Sequence, residues 1–116
     1  MTTGGEKPSA ENVEDALSKV WDQAYPVTIQ RIDSIEGAAT ELAREHPDPA
    51  RVDAGRTDAH KLAGVLGTFG LDRGTQLAKG LEARLQGQAG PAAAREAHRM
   101  AVELRGLVDC ARPDPR

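Results

Sequence analysis

Aromatic residues are almost missing from this 116-residue chain: Trp21, Tyr25 and Phe69 each stand alone in their type. A sheet protein of this size draws on aromatic and β-branched strand residues, so the scarcity argues against strands. Cysteine is nearly missing too. The lone Cys110 has no internal partner, which excludes a disulfide framework and any need for an oxidising compartment. With no His or Asn spaced near it, Cys110 is not a catalytic thiol and is expected to be a small buried hydrophobe. No apolar run nears the roughly 20 residues of a membrane span. Nor is there a basic run: 15 Lys and Arg are scattered among 18 Asp and Glu, for a net charge of −3. That excludes a phosphate-backbone footprint and argues against a nucleic-acid partner. Met1 to Pro8 lack the apolar core of a signal peptide, and the expected location is the cytoplasm. The length leaves room for one domain and excludes a two-lobed enzyme.

What is there is aliphatic and small. Hydrophobic residues make up 39% and charged residues 28%, with 12 glycines and nineteen alanines. Apolar residues recur at three-and-four spacing, the period of a half-buried helix. Val13, Leu17, Val20 and Ala24 form a first stripe, and Thr28, Ile32, Ile35, Ala39 and Leu42 a second. Val52, Ala59, Leu62, Leu66 and Phe69 form a third, Gly74, Leu77, Leu81 and Leu85 a fourth, and Ala97, Ala101, Leu104 and Val108 a fifth. No stretch alternates with period two.

Boundary chemistry separates the stripes. Ser9 is a candidate N-cap for the first helix. Pro26 either starts a second helix or kinks a continuous one. Asp48-Pro49 offers a cap followed by proline at the first helical position, and Gly90-Pro91 does something similar. Gly70-Leu71-Asp72 reads as a short turn with Asp72 as cap. Short links make successive helices antiparallel neighbours. The expectation is therefore all-α: an up-down four-helix bundle over roughly 26–46, 50–69, 72–87 and 91–110, with an additional short N-terminal helix. The domain spans 9–110, flanked by a disordered tail at 1–8 and a Pro-containing tail at 111–116.

The helix at 50–69 carries the chemistry. At about 100° per residue, Ala59, Leu62, Leu66 and Phe69 share one arc, and His60 lies well over 100° from its centre. Gly64 and Gly67 fall within roughly 40° of His60, and Asp53 and Arg56 occupy the preceding turns of that face. An interior glycine destabilises a helix by roughly 0.5–1 kcal/mol relative to alanine. Two of them beside an outward histidine suit a shelf on which another protein approaches the imidazole; tight helix packing is the competing reason. A neutral imidazole is a nucleophile near physiological pH.

His60, Leu62, Gly64, Gly67, Gly70, Leu81 and Glu82 together resemble the histidine-containing phosphotransfer (HPt) domain, and Gly67-Thr68-Phe69-Gly70 resembles the phosphotransfer domain of chemotaxis-type histidine kinases. The likeness covers the bundle from its second helix on, with its specific letters at 59–82. It implies that His60 is the phosphoacceptor and that Glu82 holds Nδ1–H, leaving Nε2 as nucleophile. The plainer alternative for Glu82 is a boundary residue paired with Arg84, Lys79 or solvent. The family's lysine three residues after the histidine is Ala63 here. Lys61, Lys79 and Arg56 are the candidate replacements, and with Ala63, Gly64 and Gly67 they make up the expected docking face.

No nucleotide-binding loop or kinase-like catalytic set is present. The resemblance thus implies a monomeric carrier without a cofactor of its own. It would take a phosphoryl group from the aspartate of a response-regulator receiver domain, or from a hybrid sensor kinase, and pass it to another receiver. The partner receiver would supply the Mg²⁺. Three rival readings stay open: the phosphoacceptor piece of a larger chemotaxis-type kinase, a helical adaptor in which His60 is incidental, and a metal site in the bundle. The last is weakened because no Glu-x-x-His occurs; His46 and His98 read as surface or boundary residues.

Overall fold

The computed structural model describes residues 10–87 and 89–113; the tail at 1–8, the Ser9 cap and residues 114–116 lie outside them. Four helices follow one another: α1 (Ala10–Leu42), α2 (Pro49–Thr68), α3 (Asp72–Gly87) and α4 (Pro91–Cys110). Each packs against the next and α4 closes on α1, the up-down bundle that short links require. Four of the five stripes form its interior. Ile32, Ile35, Leu62, Leu66, Leu81, Leu104 and Val108 are completely or almost completely buried, with Ala38, Ala39, Ala59, Ala97 and Ala101 between them.

The first stripe is different. Among the described residues its members and those of the second stripe lie on one continuous helix rather than on a short helix and a long one, with Pro26 inside α1. Proline deletes one helical hydrogen bond, a cost of about 3 kcal/mol or more in a helix interior. Burial on both sides of it offsets that loss, with Trp21 inside before it and Thr28 and Ile32 after it. Within the stripe, Leu17 and Val20 are 42% and 52% exposed, and the buried residue of that turn is Trp21. Trp21 draws all three aromatics together. Its ring lies 4.8 Å from Phe69 and meets Tyr25 edge-on at 5.9 Å, and its Nε1–H donates to the Ala111 carbonyl at 2.6 Å. The Tyr25 hydroxyl donates to Asp109, and burial together with that carboxylate pushes the phenol up from its ordinary value. The ends of α2 and α4 are thus pinned to α1 at one level.

The links follow their residue chemistry. Asp48 caps α2, its carboxylate accepting from the Ala50 N–H at 3.0 Å, with Pro49 at the first position. Glu41 makes the preceding turn. Only 2% exposed, it accepts the Asp48 N–H at 2.8 Å and the Arg44 guanidinium at 3.0 Å. The Asp48 N–H, aided by Arg44 and Arg51, holds the Glu41 carboxyl below the usual range against the opposing effect of burial. These bonds turn the chain after Leu42, which is why α1 stops short of the expected residue 46. Past α2, Gly70 has a φ of +75°. The Gly70 N–H bonds to Gly67 O and the Leu71 N–H to Leu66 O, the paired bonds of a Schellman termination. Asp72 is then the first residue of α3 rather than its cap. Cys110 is exposed, because Val108 takes the interior position and two residues further on is the opposite side of a helix.

Arg105 of α4 donates to both Glu36 carboxylate oxygens at 2.8 and 2.9 Å and to Asp33, tying α4 to α1. Arg73 of α3 forks onto Glu103 of α4.

Two glycines of α2 answer to opposite demands. Gly55 is buried against α1, and a Cβ there would overlap the Ala38 Cβ and stand 3.1 Å from the Ser34 carbonyl. A Cβ on Gly64 would meet nothing within 4 Å. Gly55→Ala should therefore lower stability by about 1–3 kcal/mol through overpacking. Gly64→Ala should raise it by about 0.5–1 kcal/mol through helix propensity. Urea denaturation of the two variants checks both signs.

Candidate functional site

The burial of Ala59, Leu62 and Leu66 fixes the rotation of α2, and the opposite side of that helix carries Asp53, Arg56, His60, Gly64 and Gly67. The His60 side chain is 72% exposed. Across from it, Leu77, Leu81 and Leu85 turn the core side of α3 inward, which leaves Thr75, Lys79 and Glu82, at i, i+4 and i+7, along the edge facing α2. The outcome is a direct contact: His60 Nδ1 lies 2.9 Å from Glu82 Oε2. Glu82 is the more sheltered partner, its side chain 24% exposed.

His60, Ala63, Gly64, Thr75, Lys79 and Glu82 line a shallow open depression. Of the residues expected at the docking face, Ala63, Gly64 and Lys79 are therefore brought to the histidine. Gly67 lies one turn further on, exposed, where a Cβ would be 3.5 Å from the Thr75 hydroxyl. Arg56 is drawn to its own helix, donating to Asp53 through Nη2 at 2.7 Å and Nε at 3.1 Å. Lys61 is exposed and does not line the depression. Lys79 is its only cationic lining residue.

Thr75 escaped the reading of the sequence. Its hydroxyl donates to the Ala63 carbonyl at 3.2 Å, which tethers α3 to α2 three residues past the histidine. Its position seven residues before Glu82, two helical turns on the same face, is the signal that would have found it. Of the two alternative partners considered for Glu82, Arg84 is engaged elsewhere, 3.6 Å from Glu96, while Lys79 lines the same depression.

The other histidines stand apart from this site. His46 is exposed beside Glu45, and His98 Nε2 lies 3.1 Å from the Thr40 hydroxyl. Among the described residues no three His, Cys, Asp or Glu side chains gather in a way that would hold a metal ion. No described helix is long and apolar enough to cross a membrane.

The arrangement presents an imidazole with one ring nitrogen beside a carboxylate and the other side of the ring toward solvent. A family model described as the Hpt domain matches residues 11–111, nearly all of the 116. Comparison with curated proteins and with solved structures gives no significant match. The match runs over all four helices and over the His60–Glu82 pair that two of them bring together, and on it the chain belongs to the Hpt domain family, the histidine phosphotransfer modules of phosphorelays.

Proposed function

We propose that His60 is the residue phosphorylated, in a relay that runs from the aspartyl phosphate of one receiver domain to the aspartate of another. The observation that carries this reading is the 2.9 Å contact between His60 Nδ1 and Glu82 on an otherwise exposed ring. With the Nδ1 proton donated to Glu82, Nε2 keeps its lone pair and is the nucleophile. It attacks phosphorus in the partner's acyl phosphate. The new N–P bond forms as the P–O bond to the aspartate breaks, and the aspartate leaves as a carboxylate. The ring, now cationic, keeps its Nδ1 proton, and the Glu82 carboxylate offsets the charge. The same steps run backward deliver the group to the next receiver.

Lys79 is the cation this reading assigns to the transferring group. It lines the depression beside His60, where Ala63 leaves room and Arg56 is occupied by Asp53. Its ammonium meets the phosphoryl oxygens as a point charge. Gly64, with open space over it, lets the partner backbone approach the ring. The Mg²⁺ that holds the acyl phosphate belongs to the receiver in this scheme, and the module works in the cytoplasm alongside receivers or a hybrid sensor kinase.

Mixing the protein with a phosphorylated receiver and Mg²⁺ should give an acid-labile, base-stable label. His60→Gln should abolish it. Loss of a charge-assisted hydrogen bond is worth roughly 1.5–3 kcal/mol, so Glu82→Gln should slow transfer by about 10–100-fold. Lys79→Ala removes an exposed charge worth up to about 1 kcal/mol and should slow transfer about fivefold. Label on another residue, or transfer surviving in His60→Gln, overturns the assignment. Faster labelling by an ATP-bound kinase domain than by any receiver identifies the chain instead as the phosphoacceptor piece of a chemotaxis-type kinase.

A further inference from the structure

Away from His60, an apolar groove of about 590 Å³ runs between the end of α1 and the first turns of α4. Ala43, Pro91, Ala94 and Val102 supply its apolar lining. Val102 is 64% exposed, the most open large hydrophobic among the described residues. The position of the groove follows from the order of the bundle. Each helix packs on the next and α4 closes on α1, so the α1–α4 side is opposite the α2–α3 side that carries His60 and Glu82. Phosphotransfer makes no use of it.

The charge around the groove has one sign. Arg95, His98 and Arg99 line it and no carboxylate does, although the chain as a whole carries −3. Arg99 is committed to Glu96, 2.6 Å away on the flank of α4 that faces α3. His98 is seated by α1. The Thr40 hydroxyl gives its proton to the Glu36 carbonyl and accepts from His98 Nε2–H at 3.1 Å. Arg95 is exposed and has neither a hydrogen bond nor a carboxylate partner among the described residues. A lone guanidinium beside an apolar trough complements a ligand that is apolar on one line and acidic at its edge.

The shape selects among such ligands. Pro91, Ala94, His98 and Val102 follow one line along α4 for about 17 Å, and the small residues let another backbone come close. The described residues contain no strand whose edge a peptide could extend. A Pro-rich segment docks on aromatic walls, but Trp21, Tyr25 and Phe69 gather at the far end of the bundle beside Ala111. An anionic lipid surface is read by clusters of about four to eight Lys or Arg, and here two arginines stand beside Glu96 and Glu103. A second copy paired about a two-fold axis would bring Arg95 toward its own counterpart. An amphipathic helix, laid in the trough by its apolar face, meets the shape and the charge together.

We propose that the α1–α4 groove docks an acidic amphipathic helix of a partner protein, its aliphatic line covering Val102 and Ala94 and a carboxylate meeting Arg95. A partner held there leaves the opposite face, with His60, free. The groove and its charge do not depend on which residue is phosphorylated, so this docking stands or falls separately from the relay.

Fluorescence polarisation with two labelled synthetic helices of about 20 residues tests the proposal on the whole chain. One carries a Leu line at i, i+3, i+4 and i+7 flanked by Glu on an Ala background; the other replaces every Glu by Lys. The Glu peptide should bind with a dissociation constant on the order of 10–100 µM, more weakly as salt is raised, and the Lys peptide at least tenfold more weakly. Arg95→Glu should weaken the Glu peptide about tenfold and strengthen the Lys peptide. Val102→Gln should weaken the Glu peptide at least fivefold. Both positions are exposed, so circular dichroism should be unchanged. Val20→Gln, on the exposed side of α1, and His60→Gln should bind like wild type. No binding of the Glu peptide at about 1 mM, equal binding of the two peptides, or indifference to both Arg95→Glu and Val102→Gln overturns the proposal. So does wild-type binding to phosphatidylcholine–phosphatidylserine vesicles, or self-association in sedimentation, that is lost in Val102→Gln; these would give the groove to a membrane or to a second copy.

Discussion

The rotation of α2 about its own axis is the constraint on which the rest of the molecule depends. Ala59, Leu62 and Leu66 set it by facing the core. Gly55 secures it from the α1 side, where nothing larger than hydrogen fits against Ala38 and the Ser34 carbonyl. From the α3 side, the Thr75 hydroxyl holds the Ala63 carbonyl. Turned by one residue, about 100°, α2 would carry His60 away from Glu82 and bury a glycine where a leucine belongs. The imidazole is therefore positioned by side chains that have no chemistry of their own.

That arrangement separates stability from function along a single helix. One face of α2 is packed and intolerant; the other is open, as the empty space over Gly64 shows. Glu82 is held in the same manner, between the buried Leu81 and Leu85 of α3. A site made of one residue from each of two neighbouring helices needs no lid and no moving segment. In the proposed relay, donor and acceptor would change places around it while the imidazole and its carboxylate stay where the core puts them.

Much of this was legible in the residues. The bundle, the ranges of the last three helices to within a residue or so, the Asp48-Pro49 start and the side of α2 on which His60 stands all follow from period and capping chemistry. Those are local properties, and local properties are what a sequence displays. What escaped depends on pairs of residues far apart. Pro26 reads as a boundary because its local cost is visible while the burial of Trp21 and Ile32 around it is not. Leu17 and Val20 fit a core stripe, and only the termination of α2 and α4 beside Trp21 leaves them outside. Cys110 has a buried-type side chain at an outward position. Glu41 reads as a surface carboxylate until the turn after Leu42 folds the Asp48 N–H and Arg44 over it. Gly55 and Thr75 acquire meaning from Ala38 and the Ala63 carbonyl, on other helices or other turns.

The Schellman termination at Gly70 and Leu71 bears on how a chain of this kind tolerates changes of length. His60 and Glu82 are 22 residues apart, and the link between their helices is three residues, each with its backbone N–H bonded back to the last turn of α2. One added residue there would swing α3 by about 100° and take Glu82 out of reach, or else force Leu81 from the core. The links between Leu42 and Pro49 and between Gly87 and Pro91 join helices whose relative phase the His60–Glu82 contact does not read, so insertions belong there. The interval from His60 to Glu82 works as a ruler, and the left-handed glycine at its middle is the mark from which both halves are measured.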